Sequence, residues 1–336
     1  MKKILYIVAS TFILWECSSA PSVETDSIKV IESPNGKLKM TFLLTSDGRP
    51  QYLLDYENKP VILQSNLGFE LRGVLKSQKI NYHNDGTITK SDREPCNSLY
   101  DGFSIESVDT ISVDETWKPV WGEEEIIRNN YNELLVNMVQ FSTGRKMAIR
   151  FRIFNDGLGF RYEFPYQKDL SYFVIKEEIT EFSLTGDHTA WWIPGDYDTQ
   201  EYNYTESRLS EINSKFKKAV WGNDSQTPFS INGVQTSLQM KTDEGLYINI
   251  HEAALIDYPC MHLDLDPKTF TFVAHLTPDA QGWKGRMQTP CHTPWRTIQV
   301  ASSATEQLAS RLILNLNDPC AIEDTDWIKP VKYVGV

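Results

Sequence analysis

Met147-Ala148-Ile149-Arg150-Phe151-Arg152-Ile153-Phe154, followed at once by Asn155-Asp156-Gly157, decides the fold class. Ile149, Phe151 and Ile153 fall on one side of an extended chain and Ala148, Arg150 and Arg152 on the other, which is the period of a half-buried strand. Asn-Asp-Gly then supplies turn chemistry, since short polar side chains and glycine tolerate the backbone angles a reversal needs. The same grammar recurs on either side. Ile28–Ile31, Leu38–Leu44 and Thr269–Ala274 alternate in the same way and are rich in aromatic and β-branched residues. Ser46-Asp47-Gly48, Asn84-Asp85-Gly86 and Asp243-Glu244-Gly245 fall at hairpin-like intervals between such runs. Only Glu206–Lys218 and Ala304–Arg311 read as briefly helical, and Asn315–Cys320 reads as the end of a strand. Strands that follow one another without intervening helices exclude a βαβ fold and predict an all-β protein, a large antiparallel sandwich with few short helices over residues 21–320.

Composition agrees with a folded core and limits the partners. Of 336 residues 40% are hydrophobic and 12% aromatic, too ordered a mixture for a disordered chain. The 33 basic and 45 acidic side chains give a net charge of -12, and no Lys/Arg cluster offsets it, so no nucleic-acid partner is expected. Lys2 and Lys3 precede an apolar run from Ile4 to Trp15, which predicts a secretory signal over residues 1–20 and an exported protein. Two processing routes fit: cleavage at Ser18-Ser19-Ala20, or a lipobox at Leu14-Trp15-Glu16-Cys17 that would place a lipid anchor on Cys17. Beyond it stand Cys96, Cys260, Cys291 and Cys320, whose pairing sequence does not choose.

The densest chemistry lies between Ala190 and Glu206. It holds Trp191, Trp192, Asp196, Tyr197, Asp198, Glu201, Tyr202, Asn203, Tyr204 and Glu206. Aromatic faces suit the apolar face of a pyranose, and carboxylates and amides suit hydroxyls or calcium; the same residue types also populate solvated loops. Trp191, Trp192, Asp196, Tyr202 and Asn203 are the candidate sugar contacts. The Asp-x-Asp-x-Asp-Gly spacing of an EF-hand is missing. His251-Glu252 with Asp257-Tyr258 offers a candidate acid/base pair, although neighbours on a strand point to opposite faces. Cys260-Met261-His262 and Cys291-His292 could be assembled into a zinc site, against which the structural reading is stronger. No G-x-S-x-G, nucleotide loop or H-E-x-x-H occurs.

Several separate stretches together resemble the N-terminal region of glycoside hydrolase family 97, the calcium-dependent α-glucosidases and α-galactosidases of Bacteroides-type bacteria. They are Ser33-Pro34-Asn35-Gly36, Trp121-Gly122-Glu123, Arg128–Leu134, Phe154–Tyr162, the segment from Trp191 to Glu201, His251–Ala254 with Asp257-Tyr258, Thr293-Pro294-Trp295-Arg296 and Trp327-Ile328-Lys329-Pro330. The resemblance implies a galactose-mutarotase-like β-super-sandwich that packs against a following (β/α)8 barrel, with residues 321–336 as the run into it. It implies that the acid and base carboxylates belong to that barrel, that the substrate is an oligosaccharide or α-glycoside, and that the protein is periplasmic or an outer-membrane lipoprotein of a Gram-negative bacterium. The family sends one glutamate from the sandwich onto a catalytic-site calcium; Glu201 matches best, with Asp198 as its alternative. Two other functions stay open at this point: a lipid-anchored module that captures oligosaccharide without cleaving it, and a mutarotase-like epimerase using histidine and glutamate.

Overall fold

The alternating stretch forms the strand Lys146–Phe154, and its inward side chains Ile149, Phe151 and Ile153 are fully buried. It pairs antiparallel with Ile127–Gln140 on one side and Gly157–Phe164 on the other, where Asn155 and Asp156 make the turn. The computed structural model describes residues 27–72, 78–82, 85, 87–92, 97–222, 225–332, 334 and 335. The expected signal segment, Cys17, Cys96 and most of the Asn84–Gly86 turn lie outside the described residues.

Around that hairpin builds a ten-stranded sheet. Its spatial order is Thr205–Arg208, Thr189–Trp192, Leu238–Lys241, Tyr247–Ala253, Trp295–Ala301, Gly157–Phe164, Lys146–Phe154, Ile127–Gln140, Phe103–Trp117, with Cys291–His292 also paired to Gly157–Phe164. An eight-stranded sheet runs Ile28–Glu32, Leu38–Leu44, Pro50–Tyr56, Lys59–Asn66, Glu181–Leu184, Thr271–Leu276, Met261–Asp266, Gly233–Gln235. A four-stranded sheet and the Gln78–Tyr82/Ile88–Asp92 hairpin complete the strands among the described residues. Every described pairing within these sheets is antiparallel, so the expected all-β sandwich is what forms.

The core lies between the two large sheets because each contributes its even-period apolar face. Phe42 meets Phe151 at 6.0 Å between ring centroids and Tyr52 meets Phe160 at 5.0 Å, so aromatic pairs tie sheet to sheet. Three expectations are corrected at element ends. Glu206 lies in the Thr205–Arg208 edge strand rather than at a helix start, and the helix proper is Ile212–Ala219. The strand placed at Thr269 begins at Thr271, since Phe270 has φ 54° and belongs to the turn before it. Leu312–Asn315 is a helical turn rather than a strand. Leu312 and Leu316 pack with Tyr131, Phe154, Ala253 and Trp295 on the outer face of the ten-stranded sheet. Gly159 makes room there, because a Cβ on it would lie 2.5 Å from Leu316 Cδ1. No helix among the described residues is long and apolar enough to cross a membrane.

Candidate functional site

The Thr189–Trp192 and Thr205–Arg208 strands pair with Trp192 opposite Thr205, so residues 193–204 form a long loop at one end of the large sheet. Asp196 shapes it. Its Oδ1 accepts from the Asp198 and Thr199 amides at 2.8 and 3.3 Å, and its Oδ2 from Tyr202 Oη and the Thr227 amide, both at 2.8 Å. His262 Nε2 lies 2.9 Å from the Asp196 carbonyl, which calls for the tautomer with its proton on Nε2. Gln235 Nε2 donates to Thr199 O at 2.7 Å, and backbone bridges join Pro194 to Val234 and Asp196 to Pro228. Such local side-chain to backbone bonds fix a loop that no regular ladder holds.

That geometry divides the candidate sugar contacts. Trp192 is fully buried, donates Nε1 to Ser207 Oγ at 2.9 Å and stacks on Phe216 at 6.5 Å, so it belongs to the core and has no face for a sugar. Asp196 and Tyr202 are buried and spend their polar atoms on each other, so they build the loop and do not line its surface. Trp191 is half-buried on the opposite face of its strand and donates to Glu206 Oε2 at 3.0 Å. Glu201, Asn203 and Tyr204 are exposed. The Glu201 amide donates to Thr199 Oγ1 at 3.1 Å, while its carboxylate has no hydrogen bond or ion pair among the described residues. Asp198 differs, since its Oδ2 accepts from Thr227 Oγ1 and from Ser225 Oγ.

Beneath the loop sits a group that composition did not single out. Phe229 and His275 stack at 4.0 Å, Tyr197 packs parallel to both, and His262 meets Phe229 edge-on. Tyr197 Oη lies 2.5 Å from His275 Nε2. Lys284, itself buried, holds its ammonium 3.4 Å from the His275 ring nitrogens and 3.1 Å from Glu177. Burial first, then the Lys284 and His262 charges, push the His275 pKa down to about 3. The imidazole is therefore a neutral prop for the loop.

The acid/base reading of His251 with Glu252 is corrected by burial. Glu252 points inward, where Oε2 accepts from Arg296 Nη1 at 2.6 Å and Oε1 from the Met261 amide at 3.1 Å. Arg296 also makes a two-pronged bond to Glu178, at 2.8 and 2.7 Å, and Tyr258 Oη donates to Glu178 Oε2 at 2.9 Å. Arg296 and Glu178 side chains are 0% exposed and that of Glu252 5%, so no substrate reaches them. Burial raises the Glu252 pKa and outweighs the opposing Arg296 charge. His251 faces the other side of the sheet, as the alternation of a strand requires.

The zinc reading also lacks support in the geometry. Among the described residues no three His, Cys, Asp or Glu side chains stand close enough to hold a metal, and Cys260, Cys291 and Cys320 are free thiols. Cys260 Sγ instead lies 3.0 Å from Thr277 Oγ1. What the 193–204 loop presents for a hard cation is an exposed, unengaged carboxylate, that of Glu201. Calcium takes about six to eight oxygens, so such a group fits as one ligand of a site completed elsewhere and not as a site of its own.

Comparison with known proteins agrees with the sequence resemblance. The glycosyl-hydrolase 97 N-terminal family model matches residues 31–319. A retaining alpha-galactosidase of Bacteroides thetaiotaomicron is 24% identical over 352 aligned positions, covering 96% of this chain and 46% of the relative. A glycoside hydrolase family 97 enzyme from Pseudoalteromonas sp. strain K8, solved in complex with acarbose, superposes with a TM-score of 0.72 at 31% identity, over 90% of this chain and 40% of that one. A beta-arabinopyranosidase structure superposes with a TM-score of 0.62 at 17% identity, over 82% of this chain and 40% of that one, a likeness of fold alone. The chain spans less than half the length of each of these relatives. With its sandwich, its ordered motifs and a family match over nearly the whole described chain, the protein belongs to the glycosyl-hydrolase 97 N-terminal family.

Proposed function

We propose that this chain is the carbohydrate-facing N-terminal part of an exported α-glycosidase, that the acid and base carboxylates lie in a (β/α)8 barrel beyond it, and that Glu201 lends a ligand to a calcium ion shared with that barrel. The observation that carries the reading is the contrast within one loop. Asp196 spends its acceptor capacity on three backbone amides and the Tyr202 hydroxyl and Asp198 bonds to hydroxyls, whereas Glu201 keeps an exposed, unengaged carboxylate. A negatively charged oxygen held on a rigid loop pays little ordering entropy on meeting a cation. Bound there, calcium would supply positive charge that orients the sugar and the catalytic acid. Trp191 and Asn203, beside Glu201 on the same loop and its strand, are the groups of this chain placed to touch the saccharide, the first by its ring and the second by its amide. The apolar run at Ile4–Trp15 supports export, and a lipid on Cys17 would add a membrane anchor. The chain's own acid/base candidate, Glu252 beside His251, is buried and spent on Arg296, which supports a non-catalytic role.

The test joins this chain to a family 97 barrel. Glu201→Gln should raise the calcium needed for half-maximal activity by about tenfold or more, because losing a charged ligand weakens the metal site as well as its geometry. Glu206→Gln should leave it unchanged, since an amide oxygen still accepts from Trp191 Nε1. Equal calcium requirements in the parent and Glu201→Gln proteins would remove Glu201 from the metal.

A further inference from the structure

At the other end of the Thr189–Trp192 strand from the Glu201 loop, connections from both large sheets meet around a cleft of about 790 Å3. The strand between the two places is four residues long, so about 13 Å of sheet separates them. The volume falls within the roughly 300–1,000 Å3 of small-molecule clefts.

Its walls are built without a ligand. Glu57 and Asn58 have φ of 49° and 63°, the pair of left-handed residues that a tight hairpin turn requires, and they hold Tyr56 opposite Lys59. Arg208 Nη1 donates to the Asp187 carbonyl at 2.8 Å and to Asp243 Oδ1 at 2.6 Å, clamping two rims together. The Asp187 carboxylate accepts from the Ser210 amide and hydroxyl at 2.9 and 2.7 Å, and Glu57 pairs with Lys37 at 2.9 Å. Three of the carboxylates around the cleft are thus engaged. Left over are the Lys59 ammonium and the Glu244 carboxylate, neither of which has a hydrogen bond or ion pair among the described residues. The same cleft is lined by Tyr56, Pro60 and Leu63, the last 42% exposed.

The chemistry of that remainder selects a ligand. Lys37 and Arg208 answer Glu57 and Asp243, while against Lys59 stand two carboxylates without an ion pair, Asp187 and Glu244, so the cleft favours a neutral molecule over an anion. A hydroxyl can donate to Glu244 and accept from Lys59, while the C–H face of a pyranose covers tyrosine, proline and leucine. We propose that this cleft is a second saccharide site, taking a short neutral oligosaccharide and separate from the Glu201 loop. It does not depend on a barrel or on calcium, so it can fail while the reading of Glu201 stands, and the reverse.

Maltotriose is the probe, titrated into the full 15N-labelled chain without calcium. Saturable shifts should appear at the Gly186, Gly245 and Leu246 amides, with a Kd on the order of 1 mM, the weak range of an open site. The Lys59→Ala/Glu244→Ala double variant should weaken that Kd about fivefold or more with an unchanged melting temperature, as both side chains are exposed and unengaged. Glu201→Gln should bind as the parent does. Shifts that grow linearly without saturating, shifts confined to residues 193–204, or an unaltered Kd in the folded double variant would each overturn the proposal.

Discussion

Replacing Arg296 with methionine should cost this protein more stability than its modest change in size suggests. The guanidinium gives three charge-assisted hydrogen bonds, two to Glu178 and one to Glu252, where all three side chains are 5% exposed or less. Methionine fills much of the space, so the loss is electrostatic and leaves two buried carboxylates beside each other. Removing one partner of a buried ion pair costs about 3–5 kcal/mol, a large part of the roughly 5–15 kcal/mol that holds a domain folded. Urea unfolding followed by tryptophan fluorescence at about pH 7.5 reads that loss as a lower midpoint. The pH dependence gives the second arm. Burial raises the Glu252 pKa and Arg296 opposes it, so without the arginine the folded value rises further above the unfolded one and the protonated form favours the folded state; the penalty is complete above the folded value and shrinks as pH falls toward the ordinary glutamate range. The gap between parent and variant should therefore narrow at about pH 5. A loss under about 1 kcal/mol at the higher pH, or a gap that does not narrow, would refute the argument that unpaired buried charge is what the arginine prevents.

The isolated chain should not hydrolyse p-nitrophenyl α-glucoside or α-galactoside with or without calcium, because cleavage needs two placed carboxyl groups; turnover by pure protein would overturn this. Asp196→Ala deletes the bonds to Asp198, Thr199, Tyr202 and Thr227 and should cost about 1–3 kcal/mol while speeding amide exchange over residues 197–202. Exchange rates equal to the parent's would show that the loop is held by something else. For His275, depressed to about 3, the unfolded chain takes up a proton that the folded one refuses, so its share of stability is present above the usual histidine pKa and is lost as pH falls toward the depressed value. His275→Gln should flatten the acid limb of the stability profile, and an NMR titration showing a charged His275 at about pH 5 would contradict it.

How much could be read beforehand depended on the range of the interactions. Alternation at Ile149, Phe151 and Ile153 is a local pattern, and it carried the sandwich. Family motifs spread along the chain carried the family, which the match over residues 31–319 bears out. Trp191-Trp192 was read by composition alone, although strand parity forces one tryptophan inward; Ala190, also buried, gives the parity that marks Trp192. The Asp196 turn was also legible in principle, since a carboxylate followed by Asp198 and Thr199 caps its own next amides. The Arg296–Glu178 bond was not, because 118 residues separate its ends and nothing local to either announces the other. The same holds for the second cleft, whose walls come from Tyr56, Asp187 and Asp243.

The position of Trp295–Ala301 bears on how the polypeptide is made. This strand lies between Tyr247–Ala253 and Gly157–Phe164, joining the first-synthesised and later-synthesised portions of the ten-stranded sheet. Until it emerges from the ribosome, the nascent chain carries two partial sheets, each with an unpaired central edge. Such edges template the wrong pairing, so a growing or prematurely terminated chain is at its most aggregation-prone just before residue 295. One late strand closes both halves at once, which makes assembly of the sheet a single, non-local and therefore slow event.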